Sequence, residues 1–154
     1  MSGFIYKDDR LRPSRLRDHP GRIEITIEPH EGRQGKCSRC LKPCPGYDQL
    51  PPRPWDFVPL WGISTVLLYS MRRVNCAEDG IVVEQVPWSV GKRPVTVAMM
   101  CFLATWARRL SWRETARAFA TSWESVYRSV QWFVDWGLQH RELKGIKAIG
   151  IDET

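Results

Sequence analysis

Two helix starts at positions 111 and 121 constrain this chain more than any other feature. Ser111-Trp-Arg-Glu114 and Thr121-Ser-Trp-Glu124 both fit the capping box, in which a hydroxyl caps the helix and a glutamate three residues on reaches back to the cap's N–H. Between them Trp112, Thr115, Ala116 and Phe119 fall at i, i+3, i+4 and i+7, which predicts a helix of about two turns with one buried face. Trp123, Val126, Tyr127, Val130, Val134, Gly137 and Leu138 continue that period over a longer helix, and Met99, Phe102, Leu103, Trp106 and Leu110 imply one before. A short middle helix with a tight turn into a longer third is the layout of a helix-turn-helix, expected over residues 94–142.

In that layout the third helix enters the major groove. Its early exposed residues, expected to be Ser122, Ser125, Arg128 and Ser129, would meet the bases, Arg128 first. Arg108, Arg109, Arg113 and Arg117 crowd the first two helices and are the expected phosphate contacts. The chain carries 23 Lys and Arg against 17 Asp and Glu, a net charge of +6, which favours an anionic partner. The plainer alternative is a small helical bundle with basic, solvated faces. Trp132 and Trp136 form a second apolar stripe, for a dimer partner, a further domain or ordinary core.

Upstream of Pro94 the sequence changes character. Arg22–Glu28 reads RIEITIE, the period-2 alternation of a half-buried strand, and Trp55–Val58, Val66–Val74 and Ile81–Val86 read as further strands. The expected class is therefore α+β: a small β-rich, zinc-ribbon-like module over 21–90, a linker near Ser89–Pro94, then the three helices. Residues 1–20 are charged and broken by Pro13 and Pro20, and read as a flexible basic arm bearing Arg10, Arg12, Arg15 and Arg17.

Cys37-Ser-Arg-Cys40 is a knuckle whose spacing aims two thiolates at one tetrahedral metal. A second turn, Cys76-Ala-Glu-Asp79, offers one thiol and, where a second would stand, a carboxylate. Three readings stay open: zinc held by Cys37, Cys40, Cys76 and Asp79; Cys44 swinging in as the fourth ligand; or a degraded site that binds weakly. A closed four-ligand site would be structural. Cys101 reads as a small residue in a helix core.

The N-terminus lacks the layout of a signal peptide, and the most apolar stretch, Phe57–Met71, is interrupted by Pro59 and Gly62. No membrane span is expected, and an intracellular, reducing compartment is. Residues 146–154, IKAIGIDET, read as an apolar strand ending at Asp152, a common way to present a metal ligand.

Taken in order, the knuckle at Cys37, VPLWGI (58–63), MRRVNC (71–76), VEQVPW (83–88), LSWRETARAF (110–119), SWESVYRSVQWFVDWG (122–137) and GIDET (150–154) resemble the ISL-three family of bacterial insertion-sequence transposases, from about Gly21 onward. The resemblance implies a zinc ribbon and helix-turn-helix that recognise terminal repeats in double-stranded DNA, in the bacterial cytoplasm and on the nucleoid. A ribonuclease-H-like domain with an Asp-Asp-Glu triad and magnesium would follow. Asp152 matches the first triad aspartate; with no counterpart for the other two carboxylates, catalysis by this chain alone is not expected. Asp79 departs from the family's usual cysteine or histidine. A homodimer, or full-length transposase, is the further partner this implies, and the competing function is a stand-alone repressor of transposition or transcription.

Overall fold

The computed structural model describes residues 21–141 and the backbone of residues 4–12. The fold is α+β: several small sheets followed by three helices. The C-terminal segment bearing Asp152, and the side chains of Arg10, Arg12, Arg15 and Arg17, lie outside the described residues.

The largest sheet has the order β1-β2-β7-β6, built from Phe4–Arg12, Arg22–Pro29, Ile63–Tyr69 and Arg53–Leu60. Strands β6 and β7 form an antiparallel hairpin, β2 lies parallel to β7, and β1 runs antiparallel to β2. Strand β1 corrects the expectation of an arm over 1–20. With β7 along one edge, β2 has backbone donors and acceptors free along the other, and residues 4–12 take them up.

The other strands are short: β3 (Gly35–Lys36) pairs with β4 (Pro43–Cys44), and β5 (Gly46–Gln49), β8 (Arg72–Cys76) and β9 (Gly80–Val83) form an antiparallel sheet. The single strand expected over Val66–Val74 is thus two, in different sheets. The break falls at Ser70–Met71, where the Met71 carbonyl accepts from Leu50 N–H and the Arg72 N–H turns to the Glu84 carboxylate.

Trp55, Tyr69 and Trp88 make the core of the β region with Ile27, Leu67 and Val86. Trp88 meets both other rings edge-on, with centroids 6.0 Å from Trp55 and 5.3 Å from Tyr69. Beside them Glu84, 2% exposed, receives the Tyr69 hydroxyl and the Arg72 guanidinium.

Helix α1 (Val97–Trp106) is capped by Thr96, whose Oγ1 accepts from Met99 N–H and donates to the Asp56 carbonyl. Asp56 N–H donates to Pro94 O and Thr96 N–H to Asp56 O, so the helical unit is clipped to β6. The expected linker is correspondingly tied down: Ser89 is buried and its Oγ donates to Arg93 O. Helix α2 (Trp112–Ala118) has the full Ser111/Glu114 capping box. Helix α3 (Trp123–His140) is capped by Ser122 rather than Thr121, because Ser122 Oγ accepts from Ser125 N–H at 3.0 Å.

Val95, Met99, Met100, Leu103, Ala116 and Val126 form the helical core, with Phe102, Phe119 and Trp132 packed on it. Trp132 therefore belongs to the core. Val134 and Leu138, expected on the buried face, are 50% and 52% exposed. Helix α1 is only 10 residues long, and among the described residues the core ends before the last turns of α3.

Candidate metal centre and nucleic-acid interface

The cysteine site is built by two turns that meet. Cys37 follows β3, where Gly35 is required: a Cβ there would come 2.8 Å from Val74 Cγ1 and 3.0 Å from Glu84 Oε2. The first turn is closed by Cys37 N–H to Lys42 O at 2.9 Å and Leu41 N–H to Cys37 O at 3.1 Å. Cys76 ends β8, and the turn into β9 carries Asp79.

These turns bring Cys37, Cys40, Cys76 and Asp79 together, with ligand atoms all within 4.8 Å of one another, a grouping that fits a metal ion. Asp79 Oδ2 lies 3.2 Å from Cys37 Sγ and 3.6 Å from Cys76 Sγ, and Cys40 Sγ lies 3.6 Å from Cys76 Sγ. Tetrahedral zinc, with Zn–S about 2.3 Å and Zn–O about 2.0 Å, sets ligand edges of about 3.8 Å for S···S and about 3.5 Å for S···O. These three edges are within about 0.3 Å of those values.

Backbone N–H groups support the sulfurs, as a second shell of donors does around thiolate ligands. Arg39 N–H points to Cys37 Sγ at 3.4 Å. The N–H groups of Asp79 and Glu78 hold the Cys76 thiol below its ordinary pKa. For Cys40 the Lys42 N–H acts downward, but burial and the neighbouring Cys76 and Cys37 thiols outweigh it and push the group up to about 11. The Asp79 carboxyl is held low by its hydrogen bond from Cys37, then by that from Cys76 and by Arg39, whose Nη1 lies 3.6 Å from Oδ1. Cys44, the alternative fourth ligand, stands outside this grouping. Its thiol donates to Lys42 O at 3.4 Å, and burial raises its pKa. Cys101, half-buried on α1, takes no part.

On the helical unit, Arg108 and Arg109 are exposed in the turn after α1, and Arg113 and Arg117 on α2. Arg128 is exposed on α3 and ion-paired to Glu124 one turn earlier, the partners being 62% and 55% exposed. An open pair of this kind is worth little and is readily exchanged for another anion. Ser122 is exposed but occupied as the cap, and Ser125 is half-buried. Ser129 corrects the expectation of a base contact: it is 2% exposed, and its Oγ donates to Ser125 O at 2.6 Å. It stands three residues after Val126, the most buried residue of α3, so the helical period itself turns it inward. Unforeseen was the contact of Trp112 with Tyr127, centroids 5.1 Å apart and both rings partly exposed where α2 meets α3.

No family model matches the chain, and neither a curated protein nor a solved structure matches it. No helix among the described residues is long and apolar enough to cross a membrane.

Proposed function

We propose that this chain binds double-stranded DNA through a helix-turn-helix formed by α2 and α3, as the DNA-recognising part of a transposase that engages transposon terminal repeats. The observation that carries the reading is the α2–α3 unit. A 7-residue helix with a full capping box leads through a tight turn at Ala120 into an 18-residue helix, with Arg113, Arg117 and Arg128 exposed. A recognition helix meets base edges with its first turns, where Arg128 stands, while arginines on the preceding elements hold the phosphates. The terminal-repeat target comes from the resemblance of the sequence motifs to the ISL-three family.

The metal in this reading is zinc, in a zinc-ribbon-like module. Cys37, Cys40, Cys76 and Asp79 would hold it as a closed set of four donors, and its chemistry there is cross-linking of two turns rather than activation of water. The chain's own contribution is to present the sulfurs on backbone N–H groups and to tie the knuckle to Glu84 through the Cys37–Glu84 bridge.

The test is binding of the chain to the element's terminal repeat against scrambled DNA over a range of salt concentrations. Preference for the repeat, reduced by Arg128→Ala by the equivalent of about 1–3 kcal/mol, supports base readout by α3. Equal, steeply salt-dependent binding to both sequences would reduce the chain to a basic surface and remove the reading.

A further inference from the structure

Cys44 is left over from the four-donor site, yet it stands directly beside it. Strand β5 pairs with β8 in a register that sets Gly46 opposite Val74, and Asn75 N–H donates to Pro45 O at 2.9 Å. Continued by two residues, that register sets Cys44 opposite Cys76. With Asn75 N–H on Pro45 O marking a hydrogen-bonded position, that continuation would make residues 44 and 76 a non-hydrogen-bonded pair, the kind with Cα atoms about 4.5 Å apart. That separation lies within the range of about 4.4–6.8 Å that a disulfide spans.

Both thiols are buried, and both belong to one apolar cluster with Cys37 and Val74. A second, independent feature gives access to them. A cavity of about 310 Å³ is lined by Lys42, Cys44, Asn75, Cys76 and Glu78, and the exposed Lys42–Glu78 ion pair stands beside it. The cavity gives a small oxidant an approach to both residues.

We propose that Cys44 and Cys76 close into a disulfide on exposure to a hydroperoxide, and that closure withdraws Cys76 from the metal. The second half rests on the metal reading above. The Cys76 thiolate displaces alkoxide or hydroxide from the O–O bond, becoming a sulfenic acid, and the leaving oxygen takes a proton from water. Cys44 sulfur then attacks the Cys76 sulfur, and the sulfenic hydroxyl leaves as water with the Cys44 proton. The two sulfurs are oxidised by two electrons and the peroxide is reduced by two. The metal keeps Cys37, Cys40 and Asp79, one ligand short of a closed site.

The experiment treats the zinc-loaded, full chain with hydrogen peroxide, follows freed zinc with a coloured chelator, and maps disulfides in non-reducing digests. The expected result is a Cys44–Cys76 bond, zinc release in step with it, and reversal by dithiothreitol. Cys44→Ser and Cys44→Ala, each first checked for zinc content, should release zinc about tenfold more slowly because Cys44 is gone as the resolving thiol while Cys40, 3.6 Å from Cys76, stays held on the metal. A bond between Cys40 and Cys76, whose sulfurs lie 3.6 Å apart, or between Cys37 and Cys40, or unchanged release from both Cys44 variants, overturns the proposal. Mapping on the metal-free chain separates the two readings. A reduced chain that takes up no zinc removes the metal reading, while the map still decides whether Cys44 and Cys76 are partners.

Discussion

Tyr69 and Glu84 share a buried hydrogen bond of 2.5 Å, phenol to carboxylate, at the point where the β core meets the cysteine site. The same oxygen accepts from Arg72 N–H at 2.8 Å, and Arg72 Nη2 donates to the other oxygen at 2.7 Å. Burial, and then Glu84 itself, pushes the Tyr69 hydroxyl well above its ordinary range, so it stays a donor. Removing one member of such a set leaves the others buried without their partner. Glu84→Ala is expected to cost about 3–5 kcal/mol, and Tyr69→Phe about 1–3 kcal/mol. Chemical denaturation measures both. Because the Glu84 carboxylate holds Arg72 at the start of β8, the strand that ends in Cys76, the same Glu84 variant is expected to weaken zinc uptake, whereas Tyr69→Phe leaves it nearly intact.

What could be read from the sequence follows from how local each signal was. The Ser111 box, the three helices and the pairing of the Cys37 and Cys76 turns rest on spacing within a few residues or on strong ligand chemistry, and the structure has all of them. The features missed depend on what packs opposite. Strand β1 exists because β2 offers an edge, which no property of residues 4–12 reveals. Ser129 was misplaced because the apolar residues of α3 outnumber the places α1 and α2 can cover. The expected face ran from Trp123 through Val126 to Leu138, and of these the structure fully buries Val126, whose side of the helix Ser129 shares.

Metal uptake should release protons. In the metal-free chain Cys40 keeps its proton up to about pH 11, the direct pull of the Lys42 N–H being outweighed by burial and the neighbouring thiols. Zinc binds the thiolate, so at neutral pH binding must displace that proton, and affinity rises with pH and falls as acid competes. Titration calorimetry in buffers of different ionisation enthalpy reads the released protons directly. Affinity that does not change between pH 6 and 8 would mean the thiols are not the ligands. Asp79→Cys is expected to tighten the site and Asp79→Ala to loosen it, in the same titration.

The capping box at the start of α2 makes that helix sensitive to acid. Ser111 Oγ and N–H both donate to Glu114 Oε2, at 2.7 and 2.8 Å, and hold the carboxyl below its ordinary value of 4.5. A depressed pKa contributes stability that is present above the unfolded value and is lost as pH falls through the folded one. Helix α2 is therefore expected to lose this contribution below about pH 4.5, and Glu114→Gln to flatten the loss. At neutral pH, Ser111→Ala should cost about 1 kcal/mol. Denaturation curves at stepped pH check all three, and an unchanged acid limb in Glu114→Gln would place the sensitivity elsewhere.

Among the described residues Leu41, Trp61 and Ala120 hold left-handed backbone that their side chains disfavour, and the last two each point to a stabilising substitution. Ala120 has φ +49° in the turn from α2 to α3, where Thr121 N–H returns to Ala116 O at 2.9 Å, a helix end usually completed by glycine. Trp61 has φ +51° and Gly62 φ +78° in the two-residue loop between Leu60 and Ile63, a turn that prefers Asn-Gly. The Trp61 ring is 92% exposed, so no packing offsets the strained backbone. Left-handed backbone costs an ordinary L-residue about 1–2 kcal/mol, and glycine returns part of the gain as unfolded-state entropy. Ala120→Gly is therefore expected to stabilise by about 0.5–1 kcal/mol, and Trp61→Asn by a similar amount. The two sites lie in separate elements with no shared partner, so their effects on the denaturation midpoint should add. If Ala120→Gly stabilises yet slackens the preference for one DNA sequence, the turn's stiffness is part of how α3 is aimed. If preference is untouched, the turn serves only to join the helices.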